Sequence, residues 1–474
     1  MALTYHQTKL VKGTIPALKE HGEQITTIFY RNMLREHPEL NNYFNIVNQA
    51  NGRQPRALTG IILNYANNIN HITDLIPKLE RMCQKHFSLG ITPDQYEIVG
   101  KYLIAAFAEV LGSAMTPEIR EAWDKAYWML AKMLIGREAQ LYRDHGSWKG
   151  WRRFRIQQRM EESDDIYSLY LVPEDGQPLP SFMPGQYVSV RVPVPEMGFM
   201  QARQYSLSER PRSDYYRITV KRDRGSGSNS NSSGIGSPGR RTGVGWSGGG
   251  GGGMGMGMGM GMGGMRKGRR VTNTPSSKFA FSPGIVSNML IDQKNVGDVV
   301  ELTHPAGDFF LDINNGSSSP IVLLSAGVGV TPMISILNTV AERQPERPVS
   351  WIQGGRNSVP FLLHVRRTAR ERPSVHVSIF KSELADFDLG GVTYDHDYRI
   401  DLAKIHPEDL WLRHSTAEYF ICGPEVFMVE MARNLRDRGV DGSRIHVELF
   451  STGDAEFQVD MLRMASQPGP QDER

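Results

Sequence analysis

The sequence predicts a multidomain chain: an all-helical domain, then an antiparallel β-barrel, then an α/β domain built on a parallel sheet. Up to about residue 148, apolar residues recur at helical spacing. From Trp151 the chain changes to short runs of alternating apolar and polar residues separated by turns, which is typical of an antiparallel barrel. From Ile321 onward, apolar strand patterns alternate with helix patterns, as in a parallel sheet. A chain of 474 residues has room for about three domains.

The helical domain is predicted at residues 1–148. A long helix pattern runs from Trp123 to Tyr142 and ends near Gly146. Two further stretches place apolar residues on one helix face: Ile25, Ile28, Phe29 and Met33, then Tyr102, Ala106, Phe107 and Val110. These faces predict helices that bury one side against each other.

The barrel is predicted at residues 149–313, from alternating runs at 154–156, 187–192 and 216–220. A low-complexity stretch at 225–277 interrupts it, with Ser, Gly and Asn followed by Met-Gly repeats. This composition cannot bury enough apolar surface to offset the entropy lost on ordering, so we expect a disordered insertion. A tolerated loop insertion or a gene-model error explains it most simply. Cu(I) binding by the methionines and RNA binding are weaker interpretations, since no His or Cys accompanies the methionines.

The α/β domain is predicted at residues 314–455, with a flexible tail at 456–474. The two cysteines, Cys83 and Cys422, lie in different predicted domains, which excludes a disulfide framework and favours a reducing, intracellular setting. No run of about 18 apolar residues occurs, so we expect no transmembrane segment. Outside residues 224–278 the chain holds 46 basic and 51 acidic residues, and this mildly acidic balance argues against nucleic acid as a partner.

Three short motifs follow one another in an informative order. Arg203-Gln204-Tyr205-Ser206-Leu207 comes first, the apolar run 321–326 then leads into the glycine turn 327–332, and Cys422-Gly423-Pro424 comes last. A glycine turn between a buried strand and a helix presents free N–H groups to a phosphate. We expect Thr331 to cap that helix and Pro332 to be its first residue. The ordered triple resembles the reductase cassette of the ferredoxin-reductase-like family, which passes hydride from NAD(P)H to FAD.

One histidine in the helical domain continues an apolar stripe. The stripe comprises Leu75, Leu79, Met82, Cys83 and His86. A lone histidine on such a face is usually a core residue with satisfied hydrogen bonds. Periodicity by itself therefore favours a structural role.

The residues around this histidine change that interpretation. Tyr30 ends an apolar helix face, Phe44 follows a turn, and Gln54 and Leu58 lie one helical turn apart. Together with the segments 25–40, 48–52 and 85–86, they resemble the flavohaemoglobins, in which a globin is fused to the reductase cassette. The resemblance covers nearly the whole chain apart from the insertion and the tail after about residue 453.

The resemblance implies a haem b with His86 as the axial iron ligand. It also implies that Phe44 packs on the haem face and that Lys85 belongs to the cofactor-binding set. Glu138 and Tyr96 would bind the other imidazole nitrogen and increase its electron donation to the iron. Without the resemblance, Glu138 would be taken for a solvated face residue and Tyr96 for a core aromatic.

On the opposite face of the haem, the resemblance implies a distal pocket lined by Tyr30, Gln54 and Leu58. A phenol or an amide donor there suits an oxygen ligand that acquires negative charge. Ordinary helix packing for Tyr30 and a surface amide for Gln54 are the alternatives.

In the reductase half, the resemblance implies that Arg203 pairs with the FAD diphosphate, Tyr205 stacks on the flavin and Ser206 reaches its reactive edge. Gln204 belongs to the same strand, and Tyr187 would line the same ring. The other residues implied in FAD or NAD(P) binding are Gly284, Val286, Ser287, Gly327, Val328, Gly329, Val330, Thr331, Pro332, Cys422, Gly423, Pro424, Glu448 and Phe450. A plain strand at 203–206, with Arg and Tyr alternating faces, is the alternative.

The resemblance predicts a nitric oxide dioxygenase that uses NAD(P)H, FAD and haem to convert NO and O₂ to nitrate. Two alternatives are a flavin-centred NAD(P)H reductase of other acceptors and an oxygen or NO sensor. The choice between NADH and NADPH stays open, since Arg356 is either a 2′-phosphate contact or an exposed arginine. We expect a monomer without nucleic-acid partners, in the cytoplasm or, alternatively, in the mitochondrion.

Overall fold

The computed structural model describes residues 2–44, 49, 52–144, 148, 150–225 and 284–450. The predicted insertion, apart from Gly225, and the predicted tail at 456–474 lie outside these described residues. Among the helices so described, none is both long and apolar enough to cross a membrane.

The described residues up to Asp144 are all-helical, as predicted. Short 3₁₀ turns at Pro38–Asn42, Ile72–Leu75 and Gly112–Ala114 lie between the α-helices. The α-helices are α1 (Tyr5–Gly13), α2 (Ile15–Glu36), α3 (Arg53–Asn67), α4 (Ile76–Leu89), α5 (Pro93–Leu111) and α6 (Pro117–Asp144).

Local signals set the ends of the helix that carries His86. Helix α4 ends at Gly90, whose φ of +77° is left-handed backbone that glycine adopts without a steric penalty. Helix α5 then begins with a capping box, in which Thr92 and Gln95 bind each other's backbone N–H groups. His86 therefore lies in the last turn of α4.

The second unit is an antiparallel sheet, as predicted. Its six strands pair in the order β4-β3-β6-β1-β2-β5. Leu207 forms an antiparallel bridge with Ile218, which joins the two edge strands and closes the barrel. The elements are β1 (Arg152–Ser163), β2 (Ile166–Pro173), β3 (Tyr187–Val194), β4 (Phe199–Ser206), β5 (Tyr216–Lys221), helix α7 (Ile285–Asp292) and β6 (Val299–Leu302).

The third unit is an α/β layer with a parallel five-stranded sheet, again as predicted. The strands pair in the order β11-β10-β7-β8-β9. All their carboxyl ends therefore lie at one edge, where ligands of such sheets bind. The elements are β7 (Ile321–Ala326), α8 (Val330–Arg343), β8 (Val349–Gly355), α9 (Leu362–Glu371), β9 (Val375–Lys381), β10 (Glu418–Cys422), α10 (Glu425–Asp437) and β11 (Ile445–Glu448).

Helix α4 packs directly on the barrel. The Thr303 hydroxyl donates to the carbonyl oxygen of Ser88 at 2.8 Å, and the Phe87 ring stacks on His304 with centroids 3.7 Å apart. The backbone N–H of Gly307 donates to Gln84 Oε1 at 3.0 Å. These contacts hold the helix that carries His86 against the barrel that carries the Arg203 motif.

Candidate active site

A cavity of about 980 Å³ extends from the helical domain into the barrel and reaches the glycine turn of the α/β domain. Its volume is at the upper end of the range for ligand sites, roughly 300–1,000 Å³. The helical end has mostly apolar walls, whereas the barrel end is polar and charged. The Arg203 motif and the glycine turn therefore meet at the same space as His86.

Most of the predicted site residues line this cavity. They are Tyr30, Phe44, Gln54, Leu58, Lys85, His86, Tyr96, Arg203, Gln204, Tyr205, Ser206, Gly284, Val286, Ser287, Val328, Thr331 and Phe450. The other predicted residues lie behind or beside the wall: Glu138, Tyr187, Gly327, Gly329, Val330, Pro332, Cys422, Gly423, Pro424 and Glu448.

His86 is held from behind by two side chains. Its Nδ1 lies 2.9 Å from the Tyr96 hydroxyl and 2.9 Å from Glu138 Oε1, and the Tyr96 hydroxyl donates to that same Oε1 at 2.6 Å. Burial, followed by the charge of Glu138, raises the pKa of Tyr96, so the phenol keeps its proton. Since Nδ1 is engaged, Nε2 is the nitrogen that can bind an iron. The arrangement fits the axial ligand of a haem.

Tyr30 and Gln54 also line the cavity and contribute polar groups to it. The Phe44 ring meets Tyr30 edge to face, with centroids 5.4 Å apart. Burial raises the pKa of Tyr30, and a hydrogen bond from the Gln54 side chain opposes that rise. Gln54 Oε1 is buried and has no hydrogen-bond partner among the described residues. An unsatisfied amide oxygen beside a protonated phenol is suited to a small polar ligand.

Two cationic side chains, Lys85 and Arg203, line the cavity. Burial, and next the charge of Arg203, lowers the pKa of Lys85 to about 8. Burial also lowers the pKa of Arg203, while Tyr205 and Asp223 oppose the shift. Two like charges in one cavity favour a bound anion, such as a diphosphate or a carboxylate.

In the segment 203–206, the Tyr205 hydroxyl has a hydrogen-bond partner and the Ser206 hydroxyl has none among the described residues. The Tyr205 hydroxyl lies 3.0 Å from Ser287 Oγ in the first turn of α7, and burial raises the pKa of Tyr205 to about 12. Ser206 Oγ is buried and lacks a partner within the described part of the chain. Gly284 is the N-cap of α7 and makes no side-chain bond there, and the first N–H groups of a helix can bind an anion. The pattern fits FAD.

The glycine turn packs against the Cys422 corner. A Cβ at Gly329 would lie 2.6 Å from Gly423 N and closer still to the Cys422 carbonyl oxygen, so only glycine fits there. The predicted cap is wrong: α8 begins at Val330, with Gly329 as its N-cap. Thr331 instead lies inside the helix, where its hydroxyl donates to the Val328 carbonyl oxygen at 3.0 Å. The 3₁₀ turn at Gly327–Gly329 leads directly into the helix, which therefore starts before Pro332, the predicted first residue.

Of the two aromatic residues predicted beside the flavin, Tyr187 and Phe450, only Phe450 lines the cavity. Tyr187 packs at Gly307, where a Cβ would lie 2.9 Å from its ring, and it does not line the cavity. Phe450 lines the cavity and remains 47% exposed. The role of Tyr187 beside the flavin ring stays a prediction.

Sequence reasoning missed a charged junction between the three units. Arg81 of α4 lies 3.2 Å from Asp308 Oδ2, and its Nη2 donates to the Val447 carbonyl oxygen at 3.4 Å. Next to it, burial raises the pKa of Glu448 to about 8, with Arg81 opposing the shift and Asp308 adding to it. Burial and the charge of Glu448 also raise the pKa of Cys422, which makes its thiol a poor nucleophile. No local pattern marks Arg81 or Asp308, because their partners are distant in sequence.

Both halves of the chain are similar to known proteins. The family model "Globin" matches residues 27–134, and the model "Oxidoreductase NAD-binding domain" matches residues 323–434. A flavohemoprotein of Bordetella parapertussis (strain 12822 / ATCC BAA-587 / NCTC 13253) is 40% identical over 452 residues, which cover 94% of this chain and 97% of that protein. The chain belongs to the flavohaemoprotein family. The predicted resemblance is thereby confirmed, as is the predicted order of the three folds.

Other flavohaemoproteins match with similar coverage. One from Bacillus subtilis (strain 168) is 36% identical over 447 residues, covering 93% of this chain and 96% of the relative. The crystal structure of a flavohemoglobin from Malassezia yamatoensis with bound FAD and heme matches with a TM-score of 0.73 and 27% identity. That match covers 95% of this chain and 100% of the other. The flavohaemoprotein described here is therefore an oxidoreductase in which a globin is fused to an NAD-binding reductase.

Proposed function

We propose that this protein is a nitric oxide dioxygenase that converts NO and O₂ to nitrate with electrons from NAD(P)H. The observation that carries the proposal is the single cavity at which His86, the segment 203–206 and the glycine turn meet. Family membership supports haem b, FAD and NAD(P)H as the cofactors. When bound, haem supplies O₂ binding and one-electron chemistry, and FAD converts a hydride into single electrons.

His86 would hold the haem iron through Nε2. Glu138 and Tyr96 fix the ring orientation and keep the proton on Nδ1, because the buried carboxylate accepts from it at 2.9 Å. When an iron is bound, this contact would increase electron donation from the imidazole. Apolar cavity walls, among them Leu103 and Leu134, would exclude water from the ring faces of the cofactor.

Tyr30 and Gln54 would orient the small substrates on the other face. Tyr30 remains a protonated donor because burial raises its pKa. Gln54 supplies a buried amide whose oxygen has no partner among the described residues. A preorganised donor stabilises charge that develops on an oxygen substrate more than it stabilises neutral NO. Leu58 adds apolar surface that limits the space for larger acceptors.

Arg203 would bind the FAD diphosphate, together with the N-terminus of α7 at Gly284. Tyr205 offers a ring whose hydroxyl is anchored by Ser287, and Ser206 offers an unpartnered buried hydroxyl. These three side chains would position the flavin between the haem end and the nucleotide end of the cavity.

The glycine turn would bind the NAD(P)H diphosphate through backbone N–H groups at the start of α8. Gly329 permits the close approach of this turn to the Cys422 corner. Ser325, at the end of β7, has a buried hydroxyl with no partner within the described ranges, as expected for a group that awaits a ligand. Hydride transfer from NAD(P)H to FAD is the chemistry that the bound nucleotide would supply at this sheet edge.

The test is NAD(P)H-dependent NO consumption by the purified protein loaded with haem and FAD, with nitrate quantified. Nitrate formation from NO and O₂ takes one electron, so one NAD(P)H should support two nitrates. Nitrate formed in step with NO lost would support the proposal. NAD(P)H oxidation without NO loss would contradict it and would favour a flavin-centred reductase.

A second arm separates the alternative functions. In His86→Ala, NO consumption should vanish while NAD(P)H-driven reduction of an artificial dye persists, because the barrel and the α/β units hold the reductase residues. A sensor would bind NO or O₂ without NAD(P)H turnover. Oligomeric state and cellular compartment remain predictions.

A further inference from the structure

The loop after strand β4 lies along one face of helix α8. The Ser335 hydroxyl donates to the Glu209 carbonyl oxygen at 2.8 Å, and the Asn338 side-chain amide donates to Glu209 Oε1 at 2.8 Å. One turn further along, Glu342 pairs with Arg210 at 3.1 Å. The helical spacing of positions 335, 338 and 342 places these side chains on one face. The barrel is therefore tied to α8 over two turns.

Asn338 also links the barrel to a second helix. Its Oδ1 lies 2.7 Å from Nε2 of His364 on α9, and the Arg367 guanidinium lies 3.3 Å from the other ring nitrogen. Since the amide oxygen only accepts and the guanidinium only donates, the imidazole is neutral with its proton on Nε2. Burial, followed by the charges of Arg217 and Arg367, lowers the pKa of His364 in agreement. One amide thus joins the barrel, α8 and α9.

On the barrel side, Arg217 of β5 holds Glu209. The two charged groups lie 3.5 Å apart, with side chains 8% and 16% exposed. The Arg217 Nε donates to the Ser208 carbonyl oxygen at 3.0 Å, and its guanidinium lies 5.1 Å from the Phe361 ring centroid. Phe361 immediately precedes α9 and has a positive φ of 61°. Buried charges are costly unless their partners are in place, so these contacts favour one relative placement of the two domains.

The position of this link in the chain connects it to the chemistry. Strand β4 carries residues 203–206 and continues directly to Glu209, whereas α8 starts at the glycine turn and continues to Asn338. On the basis of the proposed hydride transfer from NAD(P)H to FAD, we infer that Glu209 and Asn338 are positioning residues that set the nucleotide turn relative to the flavin. Misplacement of reacting groups by about 1 Å can slow a reaction on the order of 100-fold.

The experiment is anaerobic stopped-flow reduction of FAD by NADH and by NADPH in the full-length protein loaded with haem and FAD. In Asn338→Ala and Glu209→Ala, the limiting rate of flavin reduction should fall about 10- to 100-fold. The NAD(P)H concentration at half-saturation should stay within about 2-fold, because the turn itself is intact. The nicotinamide–flavin charge-transfer absorbance should weaken. Electron transfer from photoreduced flavin to haem should keep its rate, since it does not involve α8.

Three further variants test whether the loss of rate comes from the contact between Glu209 and Asn338. Glu209→Gln keeps an acceptor for Asn338 and should recover most of the rate. The double alanine variant should be no slower than the slower single variant, because both changes break one link. Asn434→Ala is the matched control: this residue lies on α10 of the same domain, and its amide bonds to the Glu430 carbonyl oxygen within the helix. Its rate should equal that of the wild type.

An unchanged limiting rate in folded Asn338→Ala would overturn the inference. So would additive losses in the double variant, or an equal loss in Asn434→Ala. If Asn338→Ala does not fold, the isosteric Asn338→Asp tests the same link, because it turns the donor that faces Glu209 into an acceptor. A wild-type protein whose FAD is reduced by neither NADH nor NADPH contradicts the proposed function itself, which separates the two failures.

Discussion

Nδ1 of His86 lies 2.9 Å from Oε1 of Glu138, a residue 52 positions away in the sequence. The same oxygen accepts a hydrogen bond from Tyr96 at 2.6 Å, and the Glu138 side chain is 5% exposed. A buried carboxylate whose acceptor oxygen serves both groups fixes the imidazole tautomer and strengthens the imidazole as a ligand. We therefore propose that the site holds a metal through Nε2.

The first prediction follows from this contact. Glu138→Gln should lower the rate of NO consumption about 10- to 100-fold, because an amide polarises the imidazole less than a carboxylate does. The haem midpoint potential should rise, since reduced electron donation favours ferrous iron. Glu121→Gln is the control, because Glu121 lies on the same helix and pairs with Lys125 at the surface. An unchanged haem midpoint potential in Glu138→Gln would contradict the proposed role of Glu138.

The second prediction concerns the distal wall. Tyr30→Phe should speed O₂ dissociation from the ferrous protein about 10- to 100-fold, through loss of a hydrogen bond to a charged ligand. Stopped-flow displacement of the bound O₂ by excess CO measures this rate. Tyr65→Phe is the matched control, because Tyr65 lines the same cavity but donates to the Ala126 carbonyl oxygen at 2.8 Å. Equal dissociation rates in Tyr30→Phe and the wild type would count against a donor role for Tyr30.

The third prediction tests the glycine turn. Gly329→Ala places a methyl group against the Cys422–Gly423 backbone, and such overpacking costs about 1–3 kcal/mol. We expect the half-saturating NAD(P)H concentration in dye reduction to rise about 10-fold, with haem spectra unchanged. Gly136→Ala is the control: its Cβ meets nothing within 4 Å, and alanine should stabilise α6 slightly. Normal NAD(P)H kinetics in Gly329→Ala would show that the turn does not bind the nucleotide.

The fourth prediction concerns pH. Burial raises the pKa of Glu448 to about 8, so the folded protein favours the neutral carboxyl. The resulting stabilisation is complete below the ordinary glutamate pKa and is lost as pH rises through about 8. Glu448→Gln should therefore gain a few degrees in Tm relative to the wild type between pH 5 and pH 9, at equal cofactor loading. Glu430→Gln, at an exposed position on α10, should show no such trend. A Tm difference between Glu448→Gln and the wild type that does not change with pH would contradict a raised pKa of Glu448 in the folded protein.

Several features of the molecule are encoded locally and can be predicted from the sequence. Helical spacing and strand alternation depend on neighbouring residues, so the three folds and their order are predicted correctly. The Arg203 motif and the glycine turn are also local, and both lie at the cavity. Thr331 shows the limit of such signals. A cap at Thr331 would start the helix at Pro332, but the 3₁₀ turn that contains Gly327 and Gly329 leads into a helix that starts at Val330.

The sequence by itself determined the three folds and the motifs, and through the family resemblance it predicted a residue set for the haem and flavin sites. Only the tertiary structure decided which distant groups meet. Arg81 and Asp308 are 227 positions apart, and Glu209 and Asn338 are 129 apart. Neither pair is marked by a local sequence pattern, because charged and amide residues of the same types occur throughout the surface of the protein. Their contacts arise only when the barrel is docked on its neighbours, where burial makes a matched partner necessary.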